Sequence, residues 1–410
     1  MPQQTSSLAS PRSQYILIIL IAGCAIASLG FGPRAALGLF LSPMTEANGW
    51  GRDLFAFALA LQVLLWGAAQ PIAGAFADRY GPVRVLSAGA ILYASGLWLM
   101  AYSTSPAMLT LSAGVFMGLG ISASSFTIVI AAFGKLLPPE WRSLAFGAGT
   151  AAGSFGQFLF SPLAVGLMHG FGWQNALVLF GCIVLLIIPL SLVLATPKDY
   201  VAPNTPKQSL REALAEAAGH RSYVLLVLGF FTCGFQLLFI TVHLPAYVVD
   251  RGLSVDIGAW TIGVIGLFNI VGSLSAGWLG DKMPKRYLLA IIYFLRSLAV
   301  IAYISFPVTA ASSITFGAAM GLLWLSTVPP TSGLIAIMFG TRWFATLFGV
   351  AFFSHQVGGF LGVWLGGVLY EAFGSYDPIW WGSIALGIVS AILHLPIVEK
   401  PVVRAAPAAA

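Results

Sequence analysis

Charge is what this chain has least of. Of its 410 residues, 13 are Asp or Glu and 19 are Lys or Arg, whereas about a quarter of an ordinary soluble domain is charged. So few charges cannot cover the surface of a chain this long, which excludes a soluble globular protein. Cysteine is nearly absent as well. Cys24, Cys182 and Cys233 all lie in apolar stretches, so a disulfide framework is excluded and the thiols are read as small hydrophobes. Acid is missing where it matters most: none of the 13 carboxylates lies in the middle of an apolar stretch. A cation carrier, or a sugar–proton symporter of the usual kind, needs an intramembrane carboxylate to hold its charge or proton. Nothing in the sequence calls for a catalytic residue, a metal or a cofactor, and an enzyme is not expected.

What is there is apolar: 59% of the residues are hydrophobic. About 20 helical residues cross a hydrocarbon core of roughly 30 Å. Twelve stretches qualify: 15–42, 53–76, 85–103, 107–134, 143–168, 173–195, 222–248, 257–279, 287–306, 312–339, 344–369 and 377–397. The 46 Gly and 23 Pro suit membrane helices, where small residues allow close packing and neighbours satisfy freed backbone groups. The first stretch is too long for a removable signal peptide and lacks a small-residue cleavage site. The formal charge of +6 is explained by orientation rather than by a nucleic-acid partner. With both termini cytoplasmic, fifteen of the 19 Lys and Arg fall on the cytoplasmic side, Arg52 and Arg251 outside, and Arg34 and Arg296 within spans. This positive-inside bias predicts a multi-pass protein of a bacterial inner (cytoplasmic) membrane. Its partners are expected to be the lipid bilayer and a small molecule, with no nucleic acid, and the chain is expected to be monomeric.

Two short polar loops share an odd spelling. Gly74-Ala75-Phe76-Ala77-Asp78-Arg79-Tyr80-Gly81 recurs as Gly277-Trp278-Leu279-Gly280-Asp281-Lys282, followed by Arg84 in one case and by Lys285 and Arg286 in the other. Pro43 pairs with Pro245, Met117-Gly118-Leu119 with Met320-Gly321-Leu322, and Phe146-Gly147 with Phe348-Gly349, all offset by 202 or 203. A tandem duplication accounts for the shared offset. The predicted units are an N-terminal six-helix bundle (1–195), a cytoplasmic linker (196–221), a C-terminal six-helix bundle (222–398) and a cytoplasmic tail (399–410). Within the linker, Ser209-Leu210-Arg211-Glu212 spells a capping box before a short amphipathic helix.

On Gly74, Asp78, Arg79, Gly81 and Arg84, with the degenerate copy Gly277, Asp281, Lys282 and Arg286, the chain resembles the major facilitator superfamily over nearly its whole length. That resemblance implies an all-α membrane protein, twelve transmembrane helices in two pseudo-symmetric bundles, working by alternating access. It also implies that Asp78 and Arg79, with Asp281 and Lys282, latch neighbouring cytoplasmic helix ends, which the helix dipoles favour. Drug exporters of the superfamily carry an Arg in span 4 before a Gly-x-Gly and Gly-Pro pairs in span 5. Here Leu111 to Gly120 holds the glycines without an Arg, and span 5 has Gly147, Gly149, Gly153 and Gly156 without a Gly-Pro.

Arg34 lies two-thirds along span 1, where a charge costs about 2.5–3.5 kcal/mol. No acid in the spans neutralises it; an incoming anion would, and a guanidinium forks onto a carboxylate. In the resembled superfamily span 1 lines the central cavity. Arg34 stands nine residues before Pro43, a placement that resembles the substrate-binding Arg of organophosphate antiporters and of anion-coupled carboxylate symporters. The 202-residue offset sets Gln236 opposite Arg34, and one Arg plus one amide suits a monocarboxylate better than a phosphate. Gln62, Gln157, Asn269, His355 and Gln356 are further candidates for substrate contact. His355 and His243 are the candidates for proton coupling, since His titrates near neutral pH. Arg296 is read as structural, bonded to broken backbone around Pro329-Pro330.

The chain thus looks like the bacterial monocarboxylate and oxalate/formate carriers, although span 8 has Asn269 where they place an Arg and span 11 has His355 where oxalate carriers use a Lys. The alternative is an exporter of amphipathic drugs or metabolites. Arg34→Gln separates the two. An exporter of apolar compounds keeps its activity in whole-cell efflux, while an anion carrier loses uptake.

Overall fold

The computed structural model describes residues 11–196, 209–340 and 343–402, and α-helix dominates them. Residues 197–208 of the linker, Arg342, residues 403–410 of the tail and the side chains of Asp78 and Arg79 lie outside the described residues. Span 1 is broken near its charge. Helix α1 (Pro11–Ala35) contains Pro33, which cannot donate to the helix ladder. Ala36 N then bonds Pro33 O, and the chain tightens into a 3-10 turn, Leu37–Phe40, before α2 (Leu41–Asn48).

Helix α3 (Arg52–Tyr80) ends at Gly81, whose φ of 86° is open to glycine, and Pro82 at once starts α4 (Pro82–Ala101). The second copy of this loop is built differently. Pro284, with φ −55°, holds the position that matches Gly81, after Met283 in extended backbone, φ −138°, between α12 (Val255–Lys282) and α13 (Lys285–Ser305). That is why the second copy dispenses with the last glycine.

Span 4 is pieced from α5 (Pro106–Leu109), a π-turn at Thr110–Phe116, α6 (Met117–Ala123) and α7 (Phe126–Leu136). Helix α8 (Pro139–Val184) has 46 residues and breaks at Gly172, φ 80°. At 1.5 Å per residue an unbroken helix of that length is about twice a bilayer core, so it contains spans 5 and 6, and α9 (Ile187–Ser191) completes the latter. Helix α10 (Leu210–Gly219) carries its capping box, Ser209 accepting from Glu212 N and Glu212 accepting from Ser209 N.

The second half comprises α11 (Arg221–Asp250), α12, α13, α14 (Ala310–Leu323), α15 (Val328–Phe339), α16 (Phe344–Phe373) and α17 (Asp377–His394). Among the described residues, ten helical stretches are long and apolar enough to cross a membrane. Counting two in residues 147–194 and adding α17, they make the twelve-helix, two-bundle fold.

Within the second half, α11 and α16 nearly touch. A Cβ at Gly234 would stand 1.7 Å from His355 O, and one at Gly358 2.0 Å from Phe231 O. Between halves, α3 packs on α16 and α8 on α12. At the end away from the Gly74–Gly81 loop the halves are clamped. The Arg52 guanidinium donates to both carboxylate oxygens of Asp250, at 2.5 and 2.6 Å, and to Tyr376 at 3.2 Å. Its backbone N–H, free because it opens α3, donates to Glu371 at 2.6 Å. The Arg52 guanidinium also lies 4.1 Å from the Tyr370 ring centroid. Close by, Gly38 meets the carbonyls of Thr241 and Val242. Toward the loop end, by contrast, no described residue stands within 4 Å of where a Cβ would sit on Gly74, Gly147, Gly277 or Gly349.

Arg52→Ala therefore separates the halves at the clamped end. Removing a half-buried bidentate pair costs on the order of 1–2 kcal/mol, about a tenfold shift in population. Spin labels at Asn48→Cys and Ser375→Cys, read by double electron–electron resonance, should show a longer-distance population growing by that factor.

Candidate substrate site

The break in span 1 leaves Arg34 in the last turn of α1, where unpaired carbonyls offset part of a positive charge. The side chain is 7% exposed and its Nε–H has no hydrogen-bond partner. Two rings hold the guanidinium: Trp66 of α3, with 4.6 Å from Cζ to the ring centroid, and Phe31, with 5.5 Å. Among the described residues no carboxylate pairs with it. Two other donors stand close. Trp66 Nε1–H is buried without a partner, and the Tyr93 hydroxyl of α4 lies beside Arg34 and forms no hydrogen bond of normal geometry. Three donors without hydrogen-bond partners thus lie about this site, from spans 1, 2 and 3. A little farther along α3, Gln70 donates to Ser125 and Thr127, while its Oε1 is unpartnered.

The amides are placed otherwise than the sequence suggests. Gln236 does not serve Arg34. It is fully buried, and Nε2 donates to Ser383 O of α17 at 3.0 Å, inside its own half. The 202-residue offset carries over the backbone position but not the facing of the side chain. Gln62 likewise donates to Ala113 O within the first half, at 2.9 Å. Three others tie the halves together. Gln157 donates to Ile262 O at 3.1 Å, Gln356 to Val63 O at 3.1 Å, and Asn269 to Ser154 Oγ at 2.8 Å. Asn269 Oδ1 also accepts from Leu325 N in the break between α14 and α15, and from Ser273. These amides are clasps in this conformation, not open ligand contacts.

The two histidines differ. His355 Nδ1 sits 2.9 Å from Gln356 Oε1, an acceptor, so Nδ1 carries the proton and Nε2 has the lone pair. Its ring stacks on Phe352, 5.7 Å away at 8°. His243 Nε2 faces Val363 O at 2.8 Å and must donate, leaving Nδ1 to accept from the Tyr376 hydroxyl at 3.1 Å. Burial pushes the Tyr376 phenol up, so near neutral pH it has a proton to give. His243 thus links the clamp to α16. Arg296 is fully buried and donates to Leu323 O at 2.9 Å through Nε and to Trp324 O through Nη2. It caps the break in span 10, a few residues before Pro329-Pro330.

In the second loop Lys282 covers the Trp278 ring at 3.8 Å, Lys285 donates to Gly280 O, and Arg286 donates to Ile397 O and, through its backbone, to Glu399. Asp281 is exposed and borders a cavity of about 320 Å³ with Gly277, Lys285 and Phe344. In the first loop Arg84 is exposed and borders a larger apolar cavity, about 430 Å³, with Phe76 and Tyr80.

Residues 18–363 match the family model described as Major Facilitator Superfamily. The chain belongs to that superfamily. It is 27% identical to the MFS-type transporter YcxA of Bacillus subtilis (strain 168), covering 95% of this chain and 97% of the relative. It is also 27% identical to monocarboxylate transporter 13 of Rattus norvegicus, over 85% and 81% of the two chains. Among solved structures it is similar to a bacterial homologue of the human lysosomal transporter Spinster, inward-facing and occupied (TM-score 0.75, 16% identity, 95% and 97% covered). It is similar too to the D-xylose–proton symporter (TM-score 0.68, 16% identity, 95% and 99% covered). The protein is therefore a multi-pass membrane transporter and not an enzyme.

Sequence reasoning passed over Trp66, Tyr93 and the Arg52–Asp250 pair. An aromatic residue in a span carries no mark of its neighbour, and Arg52 and Asp250 are joined only by folding. The clasps give a test. Asn269→Leu strands Leu325 N and Ser154 Oγ, at about 1–3 kcal/mol for each buried group left unpaired. It should lower the melting temperature clearly more than Gln62→Leu, which breaks one bond within a half.

Proposed function

We propose that this transporter moves a small organic anion, a monocarboxylate, across the cytoplasmic membrane by alternating access, coupled to protons. The observation that carries the reading is the unpaired guanidinium of Arg34 in a nearly closed site. A charge at that depth costs about 2.5–3.5 kcal/mol, and a carboxylate forking onto it removes the net charge. Relatives described as monocarboxylate transporters, at 26–27% identity, agree in kind. One guanidinium with uncharged donors around it suits a singly charged head rather than a dianion.

The excess of basic residues puts the loop end and both termini in the cytoplasm, so the clamped end faces outward and this conformation is open toward the cytoplasm. The anion pairs with Arg34. Its arrival neutralises the site and lowers the barrier to occlusion, so that loaded carrier changes face more readily than carrier with a bare guanidinium. The change of face breaks the Arg52–Asp250 clamp and the amide clasps, and brings the Gly74–Gly81 and Gly277–Lys282 loops into use as latches. His355 takes the proton at Nε2, because that nitrogen accepts one without giving up the bond to Gln356. Protonating His243 instead would cost its bond from Tyr376, so His243 is assigned to the clamp.

Proteoliposomes given a panel of labelled carboxylates, with and without a pH gradient, test this. At least one monocarboxylate should accumulate faster with the gradient. His355→Asn should abolish that acceleration and keep gradient-free exchange within about threefold, since a neutral amide still bonds Gln356. The reading fails if no anion moves, or if His355→Asn responds to the gradient like wild type.

A further inference from the structure

The surroundings of Arg34 also constrain the rest of its ligand. The unpartnered donors Arg34 Nε, Trp66 Nε1 and the Tyr93 hydroxyl match the oxygens of one carboxylate, which accepts and never donates. Beyond them the amide N–H donors of the spans are engaged. Gln62, Gln157, Gln236, Gln356 and Asn269 donate to protein acceptors. Ser124, Ser161 and Thr241 bond carbonyls of their own helices. Gln70 Oε1, one turn along α3 from Trp66, is a free acceptor, but a tail with several hydroxyls would leave most of them stranded, and each stranded polar group is penalised.

What remains is aromatic. Trp66 meets Phe352 of the other half edge-on, with ring centroids 5.6 Å apart. Phe352 stacks on His355, which lies 5.1 Å from Phe230. Phe344, Phe348 and Phe352 recur every four residues along α16, each half-buried, so they share one face leading from the loop end toward Arg34.

Resting on the reading of Arg34 as an anion receptor, we propose that the substrate is an aryl-bearing monocarboxylate. Its carboxylate is held by Arg34, Trp66 and Tyr93, and its ring packs against the aromatic surface that Trp66 and Phe352 form together. Offset or edge-on ring contacts contribute about two- to tenfold each in affinity beyond the area they bury.

Calorimetric titration of the full chain in nanodiscs tests the class, with acetate, phenylacetate, phenylacetamide and gluconate as probes. Phenylacetate should bind at least about tenfold tighter than acetate, and phenylacetamide and gluconate should not bind measurably. Phe352→Leu should shrink the phenylacetate-to-acetate ratio below about threefold. Trp66→Phe keeps the ring and loses the N–H, and should weaken phenylacetate about tenfold. Each variant is checked for a wild-type-like cooperative melt. If acetate binds through Arg34 but phenylacetate binds no tighter, or the ratio survives Phe352→Leu, the aryl class is overturned and the anion reading stands. If no carboxylate binds at all, both are overturned.

Discussion

A guanidinium shut away from water is tolerated only when something takes up its charge, and the two intramembrane arginines meet that requirement in opposite ways. Arg296 spends its donors on Leu323 O and Trp324 O, the carbonyls freed where span 10 breaks, so it supports backbone. Arg34 has the same chemistry and, among the described residues, no such partner. It keeps the field of the α1 terminus and the faces of Trp66 and Phe31, interactions worth about 0.5–2 kcal/mol each. They do not saturate a fork of five N–H donors. The Arg34 site is incomplete by construction, and what completes it is an acceptor brought from outside.

The forces holding the halves together are scaled to let such a ligand act. Among the described residues, three amide clasps and one clamp join them by polar contacts, at Gln157, Gln356, Asn269 and Arg52. A hydrogen bond contributes about 1 kcal/mol net and a partly exposed ion pair at most about the same. This polar part of the join, a few kcal/mol beside the packing of α3 on α16 and α8 on α12, is comparable with the roughly 4–8 kcal/mol released by a ligand of millimolar to micromolar affinity. Substrate binding can therefore shift the balance between faces, which stronger welding would forbid.

How much of this could be read from residues alone follows from where each feature is encoded. The spans, the duplication and the lone arginine are local: a bilayer dictates a run length, a repeat shows as an offset, and an Arg amid apolar neighbours stands out. Even the differing second loop is half visible, since Pro284, whose φ is fixed negative, falls where Gly81 takes a positive φ. The facing of an amide is not local. Gln236 and Gln356 look alike in sequence, yet one bonds within its bundle and the other crosses to Val63. The choice depends on how closely glycines such as Gly234 and Gly358 bring α11 and α16 together. Arg52 and Asp250, 198 residues apart, read as solvated loop charges until the fold joins them.

The central claim is that Arg34 is kept for a ligand at a cost to the empty protein. Differential scanning calorimetry of wild type and Arg34→Met, each with increasing monocarboxylate, tests it directly. The account predicts that ligand-free Arg34→Met melts above wild type, by about 1–3 kcal/mol of stability, and ignores the anion, while wild type gains stability logarithmically with concentration. A variant that melts below wild type, together with a wild type indifferent to every carboxylate, would make Arg34 a structural residue and contradict the account.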